Sequence, residues 1–171
     1  VIKTMAAEGS PYRGVLYAGI MITADGPKVL EFNCRFGDPE CQPILMRLKS
    51  DIAPVLTACA RGDLGGVTLE WDPRAAVCVV MAAGGYPGAY EKGKPILGLD
   101  EAGRIKDVVV FHAGTKMDGD KTVTAGGRVL GVSALGNGVK EAVDRAYEAV
   151  RKIKWDGAVH RGDIAKRALG R

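Results

Sequence analysis

Residues 14–23, Gly-Val-Leu-Tyr-Ala-Gly-Ile-Met-Ile-Thr, form a nearly unbroken apolar run rich in β-forming types. Asp25-Gly26 supplies a turn, and an extended run resumes from Lys28 to Asn33. The pattern predicts an antiparallel hairpin with a short loop. Asp38-Pro39-Glu40 then reads as a helix start: an N-cap acceptor, a proline at the first helical position and an acidic first turn. This helix is expected to continue through Ile44, Leu45 and Leu48, with Pro43 tolerated because it lies early. Ser50 and Asp51 open a second helix through Ile52, Val55, Leu56 and Cys59, stopped by Gly62.

Beyond Gly65-Gly66 the pattern turns strand-rich. Val77 to Ala82 reads as a buried strand, Gly84 to Gly88 as a loop, and Val108–Phe111, Lys121–Thr124 and Arg128–Ser133 as further strands between Gly or Asp turns. Asn137 is expected to cap a helix whose apolar residues Val139, Ala142, Val143, Ala146, Val150 and Ile153 keep near-helical spacing. Its other face carries Lys140, Glu141, Asp144, Arg145 and Glu148. Asp163 is placed as the cap of a last short helix through Leu169. The chain reads as two α+β units, 1–66 and 67–171, without internal repeat or low-complexity tract.

With 171 residues, 47% hydrophobic and 26% charged, the composition is that of a soluble globular protein. No apolar run reaches the roughly 18 residues of a membrane span, and no leader with a cleavage site opens the chain. The first residue is Val1, so a piece of a longer chain is expected. The net charge of +4 is dispersed. Arg151-Lys152-Ile153-Lys154 and Lys166-Arg167 resemble solvated helix ends rather than the continuous basic stripe that nucleic acid requires. Neither a nucleic-acid nor a membrane partner is expected. Cys34, Cys41, Cys59 and Cys78 form no C-x-x-C pair, and His112 and His160 are the only histidines, so structural zinc is disfavoured. Cys59 and Cys78 sit in core-like settings, which suggests reduced thiols and a cytoplasmic protein.

The richest chemistry lies in Glu31-Phe32-Asn33-Cys34-Arg35-Phe36-Gly37-Asp38-Pro39-Glu40. On an extended strand Glu31, Asn33 and Arg35 project from one face. A carboxylate and an amide oxygen suit a hard cation such as Mg²⁺, and a planar guanidinium matches phosphate or carboxylate oxygens. The bland alternative is a charged edge strand that resists aggregation. The run into a glycine-containing loop favours a functional reading. The loop at Gly37 and Asp38 precedes a helix start, a further place to receive an anion. Gly84-Gly85-Tyr86-Pro87-Gly88 lacks the lysine and hydroxyl of a P-loop and reads as a turn. Gly126-Gly127-Arg128 is either a tight turn or a turn presenting Arg128 to an anion. His112 reads as a strand-end histidine and His160 as a surface one.

The long motif resembles the signature of the glycinamide ribonucleotide synthetase (phosphoribosylamine–glycine ligase) family. Similarity continues through Tyr12 to Gly19, Gly85 to Gly88, Phe111 to Thr115, Gly126 to Leu130 and Arg161 to Leu169, so it spans essentially the whole chain. The resemblance implies the C-terminal part of an ATP-grasp domain over 1–66, of antiparallel strands plus helices, then a small, mixed, β-rich C-terminal α+β domain over 67–171. It further implies ligation of glycine to phosphoribosylamine in purine biosynthesis, with ATP as co-substrate and Mg²⁺ or Mn²⁺ as cofactor, through a glycyl phosphate. By that analogy Glu31 and Asn33 are metal ligands, Arg35 is catalytic, Gly37 and Asp38 bind substrate, and Met21 and Leu30 lie under the adenine of ATP. Leu30 is out of phase with Glu31 on an ideal strand.

Many ATP-grasp enzymes place another carboxylate on the preceding strand, but Tyr17-Ala18-Gly19-Ile20 holds none. Another segment or water must then complete the metal shell. Family proteins are longer and a monomer is expected. The missing N-terminal portion would carry the phosphoribosylamine-binding unit, the ATP lid and the lysines that hold ATP phosphates, so the 171 residues alone are expected to be inactive. The rivals are another ATP-grasp carboxylate ligase or carboxylase, which would not be expected to carry Phe36 to Glu40 after the arginine, and a non-catalytic ATP-grasp-like binding module.

Overall fold

Two β-hairpins and one four-stranded antiparallel sheet hold the strands of the described residues. The structure is a computed structural model that describes residues 1–170. In chain order its elements begin with helix α1 (Ile2–Ala7), strands β1 (Tyr17–Thr23) and β2 (Gly26–Asn33), and helices α2 (Cys41–Arg47) and α3 (Ile52–Arg61). Then come β3 (Ala75–Ala83), α4 (Leu99–Gly103), β4 (Val108–His112), β5 (Thr115–Asp118) and β6 (Lys121–Thr124). The chain closes with β7 (Arg128–Gly136), α5 (Val139–Lys152), β8 (Ala158–His160) and α6 (Lys166–Leu169). The residues form two compact units: Val1–Asp38 with Leu48–Trp71, and Pro39–Arg47 with the chain from Asp72 onward. No single cut near residue 66 separates them, because α2 packs on β3 and β7.

In the first unit β1 and β2 make the expected hairpin. Its turn is tightened by Gly26 at φ 98° and by the Thr23 hydroxyl donating to the Gly26 carbonyl at 2.8 Å. Asp51 caps α3 by accepting the Ala53 N–H at 2.9 Å, and Gly62 ends it in the left-handed region at φ 77°. Lys49 donates its N–H to the Glu70 carbonyl and the Ser50 hydroxyl accepts the Glu70 N–H, which ties 48–50 to 70–71. The described buried apolar residues all belong to the second unit.

There the strand order is β4-β7-β3-β8. Val77, Val79 and Met81 of β3 and Val132 and Ala134 of β7 pack with Ala142, Ala146 and Val150 of α5, following the helical spacing read from the sequence. On the other side of the sheet, a Cβ built at Gly131 would meet Cys78 Sγ at 3.3 Å and Gln42 Nε2 of α2 at 3.6 Å. An ion-pair chain joins Asp72, Arg74, Asp107, Arg145 and Glu141, with Arg74 Nη1–Asp107 Oδ1 at 2.9 Å and Arg145 Nη1–Asp107 Oδ2 at 3.3 Å.

Three helix starts differ from expectation. Residues 38–40 form a turn and α2 begins at Cys41, so Asp38 and Pro39 precede the helix. The N-cap of α5 is Gly138, and Asn137 instead donates its backbone N–H to Glu141 at 2.7 Å. Ala165 caps α6, while Asp163 takes two hydrogen bonds from Arg161, at 2.9 and 2.8 Å, which hold its carboxyl below the usual carboxylate range. None of the four cysteines forms a disulfide among the described residues; Cys78 is buried, but Cys59 is only half-buried.

Candidate active site

The site motif owes its geometry to a break in the hairpin register. Tyr17 stands opposite Asn33, Ala18 opposite Phe32 and Gly19 opposite Glu31. Beyond Gly19 the register slips, Ile20 faces Val29, and Leu30 is the extra residue of a β-bulge. Residues paired across a ladder share a face, so Glu31 and Asn33 lie on the face of Tyr17, Gly19 and Met21. In an unbroken ladder Glu31 would stand opposite Ala18, on the other face. Leu30 is thereby left out of the pairing.

Gly19 provides the space. A Cβ built there would lie 3.1 Å from Glu31 Cγ. Asn33 Nδ2 donates to Glu31 Oε1 at 3.0 Å, fixing the carboxylate beside the amide. Arg35 departs from the one-face expectation, because β2 ends at Asn33 and the chain bends over residues 34–35. Its Nη1 donates to the Phe36 carbonyl at 2.8 Å. Gly37 is buried and Asp38 exposed. Met21 and Leu30 are 47% and 64% exposed. The structure therefore brings Glu31 and Asn33 together directly, with Met21 on their face, and shows no contact from Arg35 to either.

Sequence reading missed Gly19 as a partner of Glu31. The signal was the absence of an acid at that place: what stands there is the smallest residue, opposite a carboxylate. Among the described residues no group of three or more His, Cys, Asp or Glu could hold a metal ion. His112 does end a strand, with Nδ1 3.0 Å from Thr115 Oγ1, and His160 is exposed at the end of β8. No described helix is long and apolar enough to cross a membrane.

Comparison with known proteins gives this geometry a context. The family model for the phosphoribosylglycinamide synthetase C domain matches residues 76–167, and that for the ATP-grasp (A) domain of the same synthetase matches residues 1–41. The chain belongs to the phosphoribosylglycinamide synthetase family. It is 55% identical over 171 residues to the phosphoribosylamine–glycine ligase of Vibrio vulnificus strain YJ016, covering 99% of this chain and 40% of that protein. It is 54% identical over 172 residues to the chloroplastic phosphoribosylamine–glycine ligase of Arabidopsis thaliana, covering 98% of this chain and 32% of the relative. The crystal structure of the Thermotoga maritima phosphoribosylamine–glycine ligase superposes with a TM-score of 0.74 at 38% identity, over 93% of this chain and 39% of that one. The chain thus spans about 40% of the length of the bacterial relatives cited, and has the α+β fold of the corresponding region of the synthetase family.

Proposed function

We propose that this chain supplies one wall of the active site of an ATP-dependent ligase that joins glycine to phosphoribosylamine, giving glycinamide ribonucleotide, ADP and phosphate. In this reading 1–66 is the C-terminal part of the ATP-grasp domain and 67–171 the C-terminal domain. The observation that carries it is the Glu31–Asn33 pair, held at 3.0 Å on one face with Glu31 opposite Gly19, inside a chain of this family.

The donor set fits a divalent cation. Glu31 offers a carboxylate, and Asn33, whose amide nitrogen faces Glu31, has an oxygen that amide rotation brings to the same side. Mg²⁺ commonly takes only one or two protein carboxylates and completes its shell with phosphates and water, so two donors without a third acid suffice. When bound, Mg²⁺ or Mn²⁺ neutralises phosphate charge during phosphoryl transfer from ATP. Arg35 presents a planar guanidinium to the transferred phosphoryl group, where negative charge grows in the transition state. Gly37 and Asp38 orient glycine, whose carboxylate takes the γ-phosphoryl group of ATP to form glycyl phosphate. The amine of phosphoribosylamine then attacks the acyl carbon and inorganic phosphate leaves. Met21, on the face of Glu31, and Leu30 provide apolar surface beneath adenine.

The test is substrate-dependent ADP release by the full-length protein that carries this chain. Release that requires both glycine and phosphoribosylamine is expected; release driven by bicarbonate or formate instead would overturn the reading. Glu31→Gln should lower turnover by about 10²-fold or more, given the size of single electrostatic contributions to transition states. Unchanged turnover would mean a binding module rather than a catalytic site.

A further inference from the structure

Only Pro39 and Glu40 stand between Asp38 and the first residue of α2. The loop that carries Gly37 and Asp38 therefore runs directly into this helix. Seven residues are too few for a helix to hold itself in water, so α2 takes its place from what it packs against. Its C-terminal end is tied down. Asp72 donates its N–H to the Arg47 carbonyl at 2.7 Å, and Arg47 Nε donates to the Asp72 carbonyl at 3.1 Å. In its first turn, Gln42 reaches the sheet.

The sheet is shaped to receive that side chain. Val77, Val79 and Met81 of β3 and Leu130, Val132 and Ala134 of β7 belong to the core that includes α5, so Cys78, Gly131 and Ser133 point to the opposite face. There a Cβ built at Gly131 would stand 3.6 Å from Gln42 Nε2 and 3.9 Å from its Cδ, besides 3.3 Å from Cys78 Sγ. With glycine at that place the amide lies over the strand backbone itself. Gln42 Oε1 is buried without a hydrogen-bond partner, and so is Ser133 Oγ on the same face. An amide oxygen left in that state costs free energy, where an apolar group of the same shape would not. What the side chain contributes is therefore its reach, which fills the space between α2 and Gly131, and not a hydrogen bond to its oxygen.

We propose that Gln42 is a positioning residue for the reaction: by seating α2 it fixes the end of the Gly37–Asp38 loop, and with it the grip on glycine. The inference rests on the ligase reading, which gives those two residues to glycine. The link is short and covalent, so a shift of α2 passes to Asp38 along two residues. Gln42 itself touches no substrate in this account. It acts through the helix it holds.

Steady-state ADP release by the full-length protein, measured against glycine and against ATP, is the test. Gln42→Ala removes the reach and should raise KM for glycine about tenfold, the scale on which small misplacements are felt, while KM for ATP stays that of the unsubstituted protein. Gln42→Met keeps the length without the polar end and should leave KM for glycine near that of the unsubstituted protein. A role confined to stability moves neither KM and lowers kcat through loss of folded protein. That pattern in Gln42→Ala would overturn the proposal. So would a Gln42→Met variant as impaired as Gln42→Ala, since the amide rather than its reach would then be at work. If Gln42→Ala fails to fold by circular dichroism, Gln42→Leu, whose side chain is one atom shorter, decides by the same two constants. Glycine-dependent release by the unsubstituted protein, with an unmoved glycine KM in the variant, sinks only this inference. No glycine-dependent release by the unsubstituted protein sinks the ligase reading and this inference with it.

Discussion

At Gly19 a missing β-carbon leaves room for the Glu31 carboxylate, whose Cγ would otherwise be met at 3.1 Å. The contact is tight rather than impossible, so Gly19→Ala should shift Glu31 by a few tenths of an ångström and leave the hairpin paired. In the full-length protein we expect roughly tenfold lower turnover, the scale on which small misplacements of reacting groups cost rate, with a melting temperature close to that of the unsubstituted protein. Turnover equal to the parent would show that Glu31 position is not critical. At this scale the shared face of Glu31 and Asn33 was legible from strand alternation alone. Arg35 was not, because alternation holds only while the strand lasts and β2 ends at Asn33.

Elements were legible where they were long or well punctuated. β3, β7, α3 and α5 carry clear periodicity or caps, and each forms close to where its pattern put it. Short pieces were uneven: β4 and β6 form where Val108–Phe111 and Lys121–Thr124 were expected, whereas α1, α4, β5 and β8, each six residues or fewer, are too short to set a period and went unread. Caps were read correctly where one side chain suffices, as at Asp51. The cap was misread at Asn137, whose backbone N–H goes to the Glu141 carboxylate while Gly138 starts α5, and α2 begins three residues beyond Asp38. Asp51→Ala removes the acceptor for the Ala53 N–H and should cost about 1 kcal/mol. Urea melts would register that as a lower midpoint with an unchanged slope; an unmoved midpoint would mean that water replaces the cap.

Across the whole molecule apolar surface is unevenly spent. The described buried core lies in the second unit, whereas Ile20, Ile22, Val29, Leu30 and Phe32 of the hairpin are 46–75% exposed. Contiguous exposed apolar residues attract partners or dyes. The isolated 171-residue chain should bind an apolar-surface dye strongly, and Ile22→Lys combined with Leu30→Lys should remove much of that signal while leaving its circular dichroism intact. Equal dye binding by the double variant would place the apolar surface elsewhere. The membership of α2 in the second unit was not legible either, since local periodicity cannot say which sheet a helix will pack against.

The bulge at Leu30 makes the hairpin's tolerance of length changes directional. A chain lacking Leu30 would set Glu31 opposite Gly19 in an unbroken ladder, with Asn33 still two residues on and still facing the same way. A chain lacking Phe32 would keep Glu31 in place and turn Asn33 to the opposite side. One residue can therefore come or go before the carboxylate, and none between the carboxylate and its amide.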